Sequence, residues 1–370
     1  MKREISLLVL GFALFGCLSE EIYEDTDVEH NATVIENEPS FGLSTNTIVY
    51  EPYPLAFYNV FYEQGLPDIT FELNNTGEIP LTIRLSAEYL GYSYNSISTV
   101  DLAPGESKVV NMTISLMPEK IEQIKTKTKF ALHYKIEYEK DGQWKTFDED
   151  TKMIDVYPVD TAVLWMQDSS GEWYPLYEYL AVFVTPKSDA VQELLAKAID
   201  YHPYHSLVGY QCNGCNSAEW EENTNEQVKA IYDALKYEYH VRYLSMTTAF
   251  GSETDIVQRV NLPDETLRLG TANCLDGTLL FASALEAIGI NPYIVILPGH
   301  AFVAWDIRED GRFTEALETT LIGYADFEEA LDEGNRELDE HWSDLTDGDY
   351  TNGEMISIKE AREVGILPLR

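Results

Sequence analysis

The sequence predicts an α+β protein of two unlike halves, all-β first and mixed afterwards. Three observations carry this. Between Asn46 and about Pro158, short alternating polar and apolar runs are separated by turn residues. After Pro158 the apolar spacing becomes that of helices interleaved with strands. The chain has 370 residues, 45% of them hydrophobic, enough for two or three domains with ordinary cores.

In chain order, Lys2 and Arg3 precede an apolar run from Ile5 to Phe15, too short to span a bilayer comfortably as a permanent helix. It ends in Leu14-Phe15-Gly16-Cys17, which resembles a prokaryotic lipobox. The resemblance implies a signal peptide over residues 1–16, cleavage before Cys17, and lipid on the Cys17 thiol. The chain would then be extracytoplasmic, anchored to the outer face of the cell membrane. One acyl group anchors weakly, so a diacyl or diether lipid is implied. A plain signal peptide or an uncleaved anchor, with an incidental Cys17, is the alternative. Residues 17–45 are acidic, polar and without periodicity, and read as a tether.

Residues 46–158 read as strands. Ile69–Leu73 and Leu81–Leu85 flank the turn Asn74-Asn75-Thr76-Gly77. Lys108–Ile114, Phe130–Tyr138 and Trp144–Phe147 follow, the last two joined at Asp141-Gly142. About seven such strands fit an immunoglobulin-like sandwich lacking its disulfide. The stretch resembles the adhesion-type sandwiches of prokaryotic surface proteins, which implies a spacer. The sequons at Asn31, Asn74 and Asn111 all fall in the tether or this unit, in keeping with exposure.

The formal net charge is −39. It argues against nucleic acid and anionic lipid surfaces as partners, because both would repel the chain. It suits solubility in a salty medium, although Lys outnumbers Arg by 15 to 10.

Residues 159–370 form the second domain, with a core at 184–322. Residues 161–185 are strand-like and aromatic, with a turn at Ser169-Ser170-Gly171. Ser188-Asp189 caps a helix carrying Val191, Leu194, Leu195 and Ala198. Asn225 starts a second helix, and Pro263 opens a helical turn at most. Cys274 then heads a helix with Leu280, Ala284, Leu285 and Ile288 on one face, ended by Gly289. Tyr293–Leu297 is a buried strand. Pro298-Gly299 interrupts it, and His300–Trp305 resumes it. The turn Glu309-Asp310-Gly311 leads into a returning strand.

A cysteine at a helix N-terminus has its thiolate favoured by the dipole and by free amide donors. Those amides can also stabilise an oxyanion. His300 supplies a base, and a carboxylate on the next strand would orient it. A three-residue loop pairs position 300 with 320 and puts Glu318 on the face of His300; an even-length loop would put Glu315 there. The bland alternative is a buried Cys and a satisfied core His.

At these residues the chain resembles the transglutaminase-like superfamily, a papain-like group. The match runs through Cys274 in NCLDGTLLFASALEAIGI, His300 in LPGHAFVAW and Glu318 in LETT. It implies a Cys-His-Glu acyl-transfer enzyme acting on protein or peptide amides: a cysteine peptidase or amidase, or alternatively a crosslinking transglutaminase. A surface binding module that kept the fold without catalysis is the other class. Glu departs from the usual Asp, and Gln258 is the candidate oxyanion donor. The resemblance implies no cofactor.

Two motifs stand apart. His202-Pro203-Tyr204-His205 followed by Cys212-Asn213-Gly214-Cys215 could supply four ligands to a structural zinc. Outside the cell a Cys212–Cys215 disulfide is the plainer reading, with free thiols the third. Residues 326–349 are strongly acidic and carry Leu331, Leu338, Trp342 and Leu345. They read as a partly amphipathic helix with a solvated face, and they do not match a calcium loop.

Overall fold

The computed structural model describes residues 40–167, 173–212, 214–245, 257–311 and 314–369. Cys17, Asn31, nearly all of the tether and the turn at Ser169-Ser170-Gly171 lie outside the described residues. The protein is of mixed α+β architecture.

The first unit contains β1 (Ser44–Val49), β2 (Tyr53–Pro54), α1 (Tyr58–Gln64), β3 (Ile69–Asn74), β4 (Leu81–Tyr89), β5 (Ser96–Leu102), β6 (Ser107–Met112), α2 (Pro118–Ile121), β7 (Thr128–Lys140) and β8 (Gln143–Tyr157). They form two sheets, ordered β1-β3-β6 and β2-β8-β7-β4-β5. Alternation decides which side chains go inside: β4 buries Leu81, Ile83, Leu85, Ala87 and Tyr89. Ile69, Phe71 and Leu73 of one sheet share a core with Ile83, Leu85, Phe130 and Ile136 of the other. Asp141 and Gly142 both take positive φ, 54° and 74°, as a two-residue hairpin turn between right-twisted strands requires.

The two units are not beads on a string. Ala56, Phe57 and Val60, between β2 and β3, join the core of the C-terminal unit beside Tyr177 and Leu180. In return Leu369 enters the core of the first unit, its N–H bonded to the Val182 carbonyl.

The second unit contains β9 (Thr161–Val163), β10 (Trp165–Gln167), β11 (Trp173–Pro175), a 3₁₀ run Tyr177–Phe183, α3 (Asp189–Ala198), α4 (Ser217–Tyr237), β12 (Arg242–Tyr243), β13 (Val257–Arg259), α5 (Pro263–Leu269), β14 (Thr271–Ala272), α6 (Cys274–Ala287), β15 (Pro292–Leu297), β16 (His300–Asp306), β17 (Thr314–Leu317), α7 (Phe327–Glu340), β18 (Glu354–Ser357) and α8 (Ile358–Glu363). Ser188 caps α3 as expected, accepting the Val191 N–H.

Several expectations need correction. α4 starts at Ser217 rather than Asn225, because Asn216 and Glu219 form a capping box ahead of a polar first stretch without apolar periodicity. Pro263 opens a seven-residue helix, not a turn. α6 has no solvated face: every residue from Cys274 to Leu285 is buried. Pro298-Gly299 does not interrupt one strand. It is the turn of an antiparallel hairpin that pairs Leu297 with His300, and Gly299 has φ 79°. Trp342 is half exposed, whereas Leu338 and Leu345 are buried.

The main sheet of this unit has the order β17-β16-β15-β18. Ile294, Ile296, Ala301, Val303 and Trp305 share a core with α6. Val295, Leu297, Phe302, Ala304 and Ala316 meet Leu338 of α7 on the other side. Burial on both faces explains why β15 and β16 read as continuous apolar runs rather than alternating ones. No helix among the described residues is long and apolar enough to cross a membrane.

Candidate active site

The start of α6 is held firmly. Asn273 Oδ1 accepts the Asp276 N–H at 2.8 Å, and the Asp276 carboxylate accepts the Asn273 N–H at 3.4 Å. The same buried carboxylate accepts the N–H and the side-chain amide of Asn261 at 2.9 and 3.0 Å, clamping the segment before α5 to the helix. Burial raises the Asp276 pKa, and these donors oppose the rise.

Cys274 is the first residue of α6, is 1% exposed and is a free cysteine. Helix geometry leaves the N–H groups of Cys274 and Leu275 without intrahelical acceptors. The Asn273 Nδ2 beside them is buried and unpartnered.

His300 opens β16 and interacts electrostatically with Cys274. Its Nε2 lies 2.6 Å from Glu318 Oε2. With Nε2 given to the carboxylate, Nδ1 is the nitrogen left for sulfur. Burial pulls the His300 pKa down. The interactions with Cys274 and Glu318 outweigh burial and push it up to about 10. His300 is therefore held toward its imidazolium form.

Glu318 is placed by register and by a turn. β16 pairs with β17 as Val303 with Leu317 and Asp306 with Thr314, so the same register carries position 302 opposite 318 and 300 opposite 320. This is the odd-loop register, and it sets Glu318 diagonal to His300. Glu318 Oε1 accepts the Thr320 N–H at 2.8 Å, and the Glu318 N–H donates to the Ala330 carbonyl at 2.9 Å. Glu315, the even-loop alternative, pairs with Trp305 and takes a hydrogen bond from Asn225 of α4. It has no part in the His300 contact, and burial raises its pKa.

Gly277 joins the Glu318 segment to that of Cys274. A Cβ there would stand 2.8 Å from Thr319 Oγ1. Its absence lets the residue after Glu318 dock on the first turn of α6, where the Thr319 hydroxyl donates to the Cys274 carbonyl at 3.4 Å.

Sequence reasoning missed Glu337, whose Oε2 lies 3.8 Å from His300 Nε2. Its signal was available: Glu337 shares the helical stripe of Ala330, Gly334 and Leu338, where an apolar residue is expected. His300, Glu318 and Glu337 have ligand atoms within 4.8 Å of one another. Two ligands of a tetrahedral zinc stand about 3.3 Å apart. His300 Nε2 and Glu318 Oε2, at 2.6 Å, stand closer together than that.

Gln258 lies on β13, buried and paired with Ala162, and its Nε2 donates to the Arg259 carbonyl at 2.9 Å. Cys212 and Cys215 are joined in a disulfide. Their sulfurs are thus committed to each other, so the four-ligand zinc set with His202 and His205 does not exist in this structure. His202 is buried, its Nδ1 accepts the Tyr204 N–H, and burial lowers its pKa.

No protein family matches the chain, and no curated protein does. Among solved structures there is a likeness to a FixG-related protein from Vibrio parahaemolyticus: 14% identity and a TM-score of 0.21, over 31% of this chain and 95% of that one. A likeness that weak carries no argument about fold or function.

Proposed function

We propose that the protein is a thiol acyl-transfer enzyme, a cysteine peptidase or amidase of transglutaminase-like fold, presented by an immunoglobulin-like sandwich. One observation carries the reading: a free cysteine at a helix N-terminus interacts with a histidine whose Nε2 is 2.6 Å from a buried glutamate. In this reading the Cys274 sulfur attacks the carbonyl carbon of an amide, forming a C–S bond and an oxyanion. The first-turn N–H groups of α6 face the new charge. The His300 imidazolium gives its proton to the leaving nitrogen as the C–N bond breaks, and Glu318 holds the ring. Water, giving a proton to neutral His300, then cleaves the thioester. The reaction calls for no cofactor.

The lipobox-like Leu14–Cys17 supports a lipid anchor on the outer face of the membrane, with a peptide or protein substrate met there.

Alkylation with iodoacetamide at pH 6 tests the chemistry, because an ordinary thiol with a pKa of about 8.5 is nearly inert there. Cys274 should be labelled well ahead of an unstructured cysteine, and Cys274→Ala should abolish turnover of a casein and peptide panel. A Cys274 that labels no faster than a free thiol sinks the proposal. Incorporation of a labelled amine instead of hydrolysis would assign crosslinking.

A further inference from the structure

Glu337 stands on α7, yet α7 is not a loosely laid surface helix. Gly334 abuts the backbone of β17: a Cβ at Gly334 would lie 2.5 Å from the carbonyl of Ala316 and from the Leu317 nitrogen. Asn335 Oδ1 accepts the Ala316 N–H at 2.8 Å. The Ala330 carbonyl accepts the N–H of Glu318 itself at 2.9 Å. Three backbone-level contacts thus lock α7 to the strand that carries the acid, and Glu337, one turn beyond Gly334, falls beside His300.

The Glu337 side chain is only 22% exposed, and Oε2 reaches to 3.8 Å from His300 Nε2. Its other oxygen is 3.5 Å from an Arg336 nitrogen. That guanidinium is mainly engaged elsewhere, at 2.6 Å from Glu333 and 2.7 Å from Glu340. The groups facing Glu337 are therefore His300 from β16, Glu318 from the end of β17, and Arg336 and Glu333 from its own helix. His300 in turn faces Cys274, Glu318 and Glu337. Burial raises the Glu337 pKa, His300 and Arg336 oppose this, and Glu318 and Glu333 add to it. A half-buried carboxylate next to a second one is retained at little cost only where a cation sits between them.

We propose that Glu337 is a second carboxylate of the catalytic histidine, a positioning residue on α7 that shares with Glu318 the stabilisation of the His300 imidazolium. The proposal rests on the acyl-transfer reading for its purpose, but not for its measurement. Glu318 fixes the ring through a short hydrogen bond. Glu337 acts by charge across 3.8 Å, so its removal should alter the protonation of His300 more than its orientation. Each carboxylate comes from a different element, and docking of α7 completes the electrostatic environment of the site.

The test is an NMR titration of the His300 ring in the full chain, with the pH profile of Cys274 alkylation beside it. Glu337→Gln should lower the His300 pKa by about one unit. The alkylation profile should move with it, and the rate at the optimum should change little. Glu337→Asp, which keeps the charge, should restore part of the shift. An unmoved His300 titration in a folded Glu337→Gln protein overturns the proposal, as does an equal shift in Glu337→Asp and Glu337→Gln. The acyl-transfer reading fails separately: a wild-type thiol without enhanced reactivity would remove it while the ring titration still reported on Glu337.

Discussion

Two buried carboxylates, one in each unit, receive opposite treatment. Asp68 of the sandwich and Glu318 of the C-terminal unit are 2% and 4% exposed. Asp68 is met by neutral donors: the Ile114 N–H at 2.6 Å and the Tyr89 hydroxyl at 3.1 Å. Burial wins over these bonds and raises the Asp68 pKa to about 7. Glu318 accepts one backbone N–H and faces an imidazole at 2.6 Å, and there the pKa that rises is that of the base, to about 10. Equal burial therefore makes a structural acid where the partners are dipoles and an ion pair where the partner can take the charge. Only the second arrangement can activate a thiol.

Removing Glu318 should have the largest effect. Glu318→Ala takes away both the ring's orientation and its counter-charge, and should lower turnover on the order of 10³-fold, measured as kcat/KM on the best panel substrate. Glu318→Gln keeps an accepting oxygen. It should keep part of the activity, while the alkaline limb falls from near 10 toward the ordinary histidine value of about 6.5. A Gln variant with an unmoved limb would show that Glu318 orients the ring without charging it.

Asp68 comes next, and it reads out in stability rather than activity. Its folded pKa lies above the unfolded one, so the stability it contributes is present below about pH 4 and is lost as pH rises through about 7. Over that window the loss is on the order of 4 kcal/mol. Asp68→Asn cannot ionise. In urea unfolding at pH 5 and pH 8, it should gain on wild type by a few kcal/mol between the two pH values, with kcat/KM unchanged. Parallel losses in both proteins would mean that Asp68 is solvated and that the comparison with Glu318 is misdrawn.

The contrast also shows what could be read in advance. The positions of Cys274, His300 and Glu318 were legible because each is tied to local structure: a helix start, a strand start, and a register that turns on loop parity. The sandwich strands were legible through alternation, and the second unit's later helix through its apolar stripe. The hairpin at Pro298-Gly299 was not, because two fully buried strands lack the polar alternation that separates neighbours. α1 was missed because its apolar residues are split between two cores, Val60 in that of the second unit and Tyr58 in that of the first. β18 and α8, near the chain's end, carry too few residues for periodicity to act on. Glu337 was marked by its place in an apolar stripe, but its partner was not: it reaches His300 through the docking of α7 at Gly334, a long-range contact that local pattern does not encode. Asp68 likewise gave no local sign that donors from Tyr89 and Ile114 would close over it.

The smallest effect concerns one of those donors. Tyr89→Phe removes a hydroxyl 3.1 Å from Asp68 and leaves the ring in its place against Tyr53 and Phe130. A donor to an ionised carboxylate lowers its pKa, so losing one should raise the Asp68 pKa further above 7. Below pH 5 the carboxyl is neutral in both proteins, and the cost should be about 1 kcal/mol for a neutral hydrogen bond. Above pH 8 the buried carboxylate is short of one donor, and the cost should roughly double, as for bonds to charged groups. Urea unfolding at the two pH values separates these figures. The same deletion made in the Asp68→Asn background should cost the same at both, since no charge is left there to be solvated. A pH-dependent cost in that background would place the titrating group elsewhere in the sandwich and remove Asp68 from the comparison.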